Sequence, residues 1–218
     1  MKLFHFAMPL LLGAAACADN TPTLQVLEAV APDENCVISD AGEDLYAGSL
    51  NLALTGSYVM GFVFASNLGT ESVSVGDVPV SSDNTNTIYL DEMALRYSVR
   101  DAAGNRVALT DASATVPIYG VVPANARGVV GIPLLTAEVV ADITGAIGGV
   151  EDVVSVSTTL SFSGKTLSGA TVESNEITFP LSVVARPFTC PQGQQVVASS
   201  LVCPAGLNGA LPECENAQ

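Results

Sequence analysis

Between residues 154 and 162 the chain alternates strictly. Val154, Val156, Thr158, Leu160 and Phe162 share one parity, and serines and threonines fill the other. A period of two sends the first set to one face of an extended strand and the second set to the other, so the stretch reads as a half-exposed β-strand. Similar signals recur along the chain. A first strand spans 24–30 and stops at Pro32-Asp33-Glu34-Asn35; Ile177, Phe179, Leu181 and Val183 mark the last long one. Segments 116–122 and 128–134 read as two more, each with a proline that suits an edge or a bulge. Ile88 and Leu90 lie on one parity, but Met93, Leu95, Tyr97 and Val99 lie on the other. The switch at Asp91-Glu92 predicts a bulge or a strand that changes sheet. Turns are expected at Asp101-Ala102-Ala103-Gly104-Asn105 and at Ser163-Gly164-Lys165.

Residues 45–70 carry no charge and are the one rival for a membrane-spanning helix outside the N-terminus. Leu50, Leu52 and Leu54 alternate with Asn51, Ala53 and Thr55, and after Gly56-Ser57 the residues Tyr58, Met60, Phe62 and Phe64 alternate again. Period two on both sides of Thr-Gly-Ser predicts a β-hairpin. One helix is expected, capped by Thr136, with Glu138 in its first turn, Leu135, Val139, Ile143 and Ile147 at helical spacing, and Gly148-Gly149 as its stop. Short strands, Gly/Pro/Asn/Asp turns and one short helix predict an all-β fold: an antiparallel β-sandwich of immunoglobulin-like or Greek-key style over 24–186. A membrane β-barrel is the rival, but scattered aromatics at 6% do not supply its girdles.

The N-terminus has its own logic. Met1-Lys2 precedes an apolar run broken by Pro9, and Ala14-Ala15-Ala16 leads into Cys17. A positive start, a short apolar stretch and small residues describe a secretory signal peptide over 1–16. The Cys directly after the alanines resembles the bacterial lipobox, although Ala14 stands where that pattern prefers Leu. The resemblance implies cleavage before Cys17 and acylation of it, with 17–23 as a lipidated tether; several acyl chains would hold a domain at the bilayer stably. Ordinary secretion after Ala-x-Ala is the alternative. Ala18 follows the Cys, not Asp, so the inner-membrane retention cue is missing and the outer membrane is expected. Cleavage removes Lys2 and no acid, taking the formal charge from −15 to −16. Such a surface is not drawn to anionic lipid, and it repels nucleic acid.

Four more cysteines follow: Cys36, Cys190, Cys203 and Cys214. In an exported chain an even number reads as two disulfides, and three connectivities are open. Loop closure favours Cys36–Cys190 as a long-range tie, with Cys203–Cys214 as a local loop. Residues 187–218 then form a loop-rich, disulfide-held tail. A four-thiolate zinc site is disfavoured, since no two cysteines stand at the short spacing of zinc ribbons.

Chemistry-bearing residues are sparse. The single histidine, His5, lies in the signal segment, no Gly-x-Ser-x-Gly elbow is present, and Lys165 is the only lysine after residue 16. Acidic pairs Asp33-Glu34, Asp91-Glu92 and Glu151-Asp152 read as solvated turn acids. Asp40-Ala41-Gly42-Glu43-Asp44 comes nearest to a calcium loop without its alternating pattern. Arg96 and Arg100 share a parity with Glu92 and predict a cross-strand ion-pair face; Tyr58, Phe62 and Phe64 at strand spacing read as core. We assign no catalytic residue, no metal ligand and no cofactor.

Taken with Cys17, the strand from Tyr58 to Asn67-Leu68 and the run Gly164-Lys165-Thr166-Leu167-Ser168-Gly169, Glu173-Ser174-Asn175-Glu176 and Phe179-Pro180 before a Cys resemble a class of β-rich outer-membrane lipoproteins of myxobacteria and related Gram-negative bacteria. The resemblance implies a fold and a location, and no activity. The expectation is a non-enzymatic, lipid-anchored envelope protein with a structural or protein-interaction role. Its partners would be the bilayer, through Cys17, and an envelope protein. A binding module for a small ligand, glycan or Ca²⁺ is the alternative.

Overall fold

The structure, a computed structural model, describes residues 22–33, 35–70, 73–75, 78–80, 85–197 and 203–216. Residues 1–16, expected to be a signal peptide, and Cys17 lie outside them.

Two sheets form the body. The smaller has the order β1 (Leu24–Val30), β3 (Val59–Ser66), β8 (Arg127–Pro133), antiparallel throughout. The larger runs β2 (Gly48–Asn51), β11 (Ile177–Val184), β9 (Val154–Thr166), β6 (Ile88–Arg100), β7 (Ser113–Val122), with β10 (Thr171–Glu173) beside β9. Only β2 runs parallel to its neighbour in the larger sheet. Two small ribbons, β4 (Val73–Val75) with β5 (Val78–Val80) and β12 (Gln194–Val196) with β13 (Cys214–Asn216), complete the described strands.

The two sheets face each other across an apolar core, which makes the fold an antiparallel β-sandwich. Met60, Phe62 and Phe64 of β3 meet Met93, Leu95, Leu160 and Phe162 of the larger sheet, all fully buried. The Phe162 ring stands edge-on to Phe64 at 4.8 Å and is tilted against Phe62 at 5.5 Å; Tyr58 tilts against Phe179 at 6.1 Å. Such pairs add about 1 kcal/mol each beyond the area they bury.

Both flanks of the sandwich are tied. On one, the chain steps from β7 in the larger sheet to β8 in the smaller, where the Ser66 backbone N–H, donating to the Ala126 carbonyl (3.0 Å), extends the β3–β8 pairing by one rung. On the other, the Asn175 carboxamide bridges to Val26 of β1, accepting from its N–H (2.8 Å) and donating to its carbonyl (3.3 Å).

β3 is buried on both faces. Its outward residue Gly61 pairs with Gly131 of β8, and Ile38, from the loop after β1, lies over this glycine pair where a Cβ on either would collide with it. Within the uncharged 45–70 stretch, the apolar run of β3 therefore serves a covered central strand. No helix among the described residues is long and apolar enough to cross a membrane.

Several sequence expectations match the structure. The strand at 24–30 is β1, and the parity switch at Asp91-Glu92 is a bulge, with register shifts against both β7 and β9. Helix α1 (Ala137–Ala146) has Thr136 as its N-cap, the Thr136 hydroxyl accepting from the Val139 N–H at 3.4 Å, with Val139 and Ile143 buried. In the turn at 101–105, hydrogen bonds from Asn105 hold the Asp101 carboxyl below its usual pKa, and Gly104 takes φ +84°.

Three expectations fail. No hairpin joins 50–54 to 58–64: β2 and β3 belong to different sheets. The Asn51 carboxamide decides this by accepting from the Arg186 N–H (2.9 Å) and donating to the Arg186 carbonyl (2.8 Å), which continues the β2–β11 pairing. Ser163-Gly164-Lys165 is not a turn but part of β9; Gly164 is small because the backbone of Tyr89 and Leu90 in β6 passes where its Cβ would be. The disulfides are Cys36–Cys203 and Cys190–Cys214, not the sequential pairs favoured by loop closure. The physical reason is the path of the tail, which returns along β2 and brings Cys203 to the loop after β1.

Candidate functional site

Register gives the sandwich two distinct ends. Leu24 pairs with Ser66, Ala65 with Arg127, and Ile88 with both Val122 and Thr166, so these residues mark one end. The chain enters here: the Pro22 and Thr23 carbonyls accept from the Asn67 side chain (3.3 Å) and backbone (3.0 Å). Val59 with Pro133, Arg100 with Ser155, and Val154 with Val183 mark the other. The loop 31–47, helix α1 and the tail all leave from that second end.

Loop 31–47 is built by local hydrogen bonds. Pro32 ends β1, and the Asp33 carboxylate accepts from the Asn35 (2.9 Å) and Val37 (2.8 Å) N–H groups, curling the chain so that Cys36 sits at φ +63°. The loop returns alongside its own strand, where Ala31 N–H donates to Glu43 and Leu45 N–H to Ala29. Opposite it, the tail seals the outer edge of β2. Asn51 N–H donates to the Gly206 carbonyl and Asn208 N–H to the Ser49 carbonyl, both at 2.8 Å. The Asn208 side-chain oxygen also accepts from the buried Tyr58 hydroxyl (2.9 Å) and the Ser49 N–H (3.1 Å).

Between loop and tail lies a cleft of about 750 Å³, closed by Cys36–Cys203 and walled by Ala31, Pro32, Leu207, Leu211 and Pro212 among others. Its described wall carries two ionisable groups, Asp33 and Glu213, and no Ser, Thr, Lys or Arg. Val37 beside it is 55% exposed, and Leu211 is 69% exposed. The cleft can bury apolar side chains and accept hydrogen bonds at its rim; among its described lining residues there is no activated nucleophile.

Two smaller depressions lie elsewhere. One, about 290 Å³, runs along the β1–β11 flank under Leu27 and Tyr46; the other, about 240 Å³, collects Glu92, Glu173 and Glu176 on the outer face of the larger sheet. Arg96 there pairs with Glu176 (2.7 Å), not with Glu92, and Arg100 donates to the Gly104 carbonyl (2.9 Å). The expected ion-pair face thus draws its carboxylate from the residue before β11; Glu92 keeps the exposed parity of Arg96 but lies four residues away along the same strand, about 13 Å at strand rise. Among the described residues no three His, Cys, Asp or Glu gather at metal-binding distance. Tyr58, Phe62 and Phe64 lie in the core as expected, and of the four tail and loop cysteines all are paired. The cleft was missed from sequence because it depends on which cysteines meet; the apolar residues crowded around Cys203 and Cys214 were its only signal.

No protein-family model matches the chain, and a search of the curated proteins finds no match.

Proposed function

We propose that this chain is a non-enzymatic lipoprotein of the outer membrane, held by acyl chains on Cys17, that engages an envelope protein through the cleft at the far end of its sandwich. It is akin to the β-rich lipoproteins of myxobacteria and related Gram-negative bacteria. The observation that carries the reading is placement. The described chain begins at one end, while the disulfide-closed, apolar cleft with exposed Leu211 in its wall opens at the other. An anchor and a docking surface at opposite poles suit a protein that presents one face away from its membrane. Well-packed apolar pockets with a polar rim are where interface energy concentrates.

A second reading has its own support. A volume near 750 Å³ falls among those of small-ligand sites, so a periplasmic or surface binding module remains the alternative.

Purification of the protein from its own membrane in mild detergent, with mass spectrometry of what stays bound, separates the two. The docking reading expects one stoichiometric protein partner that is lost in Leu211→Asp. A lone protein whose melting temperature rises with a small apolar ligand would replace it with the binding module.

A further inference from the structure

Four exposed apolar and aromatic side chains gather on the outer face of the larger sheet, at the end where the described chain begins. Tyr119 is 99% exposed, Leu167 53%, Val121 49% and Tyr89 43%. Tyr119 and Val121 share the outer face of β7, Tyr89 of β6 pairs with Val121, and Lys165 of β9 pairs with Tyr89. Leu167 follows in the turn beyond β9, its N–H donating to the Thr87 carbonyl (3.2 Å). Lys165 Nζ stands 3.9 Å from an Asp91 carboxylate oxygen, so the charges within the patch cancel.

We propose that this corner of the larger sheet rests on the headgroup region of the bilayer that holds the chain, tilting the domain so that the cleft points away. The inference builds on the Cys17 anchor reading. From Cys17 to Pro22 are five residues, which span no more than about 18 Å even when fully extended. The entry end of the domain is therefore confined close to the surface that holds the acyl chains. Tyrosine, apolar in its ring and polar at its hydroxyl, is the side chain suited to that boundary. A patch of balanced charge on a cleaved chain of formal side-chain charge −16 can approach zwitterionic lipid without the repulsion that the rest of the surface would meet at anionic lipid.

The chain contains no tryptophan, so one introduced residue reports alone. Tyr119→Trp and, at the cleft, Leu211→Trp would each be purified from membranes and reconstituted in phosphatidylcholine vesicles with brominated acyl chains. Mass spectrometry of the N-terminal peptide runs beside them. The expected result is an acylated Cys17, with blue-shifted emission of Tyr119→Trp quenched about twofold and Leu211→Trp unquenched. An acylated protein whose Tyr119→Trp emission stays red and unquenched overturns the resting corner and leaves the anchor standing. Equal quenching of both reporters overturns it as well. A peptide without acyl chains removes the anchor reading and this one with it. Should Tyr119→Trp not fold, Tyr89→Trp places the reporter on the neighbouring strand. A blue shift that appears without vesicles and grows with protein concentration would assign the patch to a second copy and overturn the lipid contact.

Discussion

The carboxamide of Asn175 hydrogen-bonds both backbone groups of Val26, a residue 149 positions earlier in the chain. One side chain thus does for the β1 edge what a strand would do, offering an acceptor and a donor in one plane. It joins the two sheets on the flank where β10 gives way to β11. Asn175→Ala leaves the Val26 N–H and carbonyl, half sheltered, without these partners and is expected to lower stability by about 1–3 kcal/mol. Asn175→Asp keeps the acceptor and turns a carboxylate toward the Val26 carbonyl, so it should be no better. Urea unfolding of the three proteins tests this; equal midpoints would show that the flank holds without the bridge.

The two disulfides close loops of very different length, 167 and 24 residues apart in sequence. Chain entropy assigns about 5 kcal/mol to the longer and about 3.5 to the shorter. Replacing Cys36 and Cys203 together by serine is therefore expected to reduce stability more than replacing Cys190 and Cys214. Non-reducing peptide mapping should recover the pairs Cys36–Cys203 and Cys190–Cys214. The reverse order of stabilities would mean that the tail holds its place through β2 alone.

Thr158, in the middle of β9, is fully buried, and its hydroxyl is the one buried side-chain polar atom among the described residues without a hydrogen-bond partner. Thr158→Val removes that hydroxyl at nearly constant volume. An increase in stability of about 1 kcal/mol is expected, read as a higher melting temperature. A loss would reveal a hydrogen bond to an internal water.

Tyr97 is buried on β6 and donates to the Leu134 carbonyl at 3.0 Å. Burial lifts its pKa to about 12, against the lowering influence of Thr136. A folded-state value above the unfolded value near 10 means that the native state holds the proton more tightly. Its contribution is therefore complete below pH 10 and is lost as pH climbs from about 10 to 12. Unfolding free energy should fall across that window in the native protein and less steeply in Tyr97→Phe. Parallel pH profiles would mean that Tyr97 ionises without consequence for the fold.

Legibility followed the range of the interactions concerned. The helix cap at Thr136, the strand 24–30 and the bulge at Asp91-Glu92 depend on neighbours within a few residues, and each was readable. The expected hairpin of 50–54 with 58–64 was not, because Asn51 pairs with Arg186, 135 residues away. Gly164 was misread for a related reason. A glycine that makes room for a neighbouring strand looks, in one dimension, like a glycine that makes a turn. The cleft was least legible of all, since it exists only where loop and tail are brought together. Cys17 lies outside the described residues, so its lipobox-like motif stands as an expectation.

The order in which the disulfides interleave bears on how the chain is made. Numbered as they emerge, the first of the four cysteines from Cys36 onward joins the third, and the second joins the fourth. A chain delivered N-terminus first presents Cys36 to solution long before any partner exists, and the first thiol to reach it is Cys190, which is the wrong one. An oxidant that links cysteines as they arrive would trap that pair, along with Cys203–Cys214. Reaching the native connectivity then calls for exchange through mixed disulfides, so under the proposed export reading the maturation of this protein should depend on an isomerase as well as an oxidase.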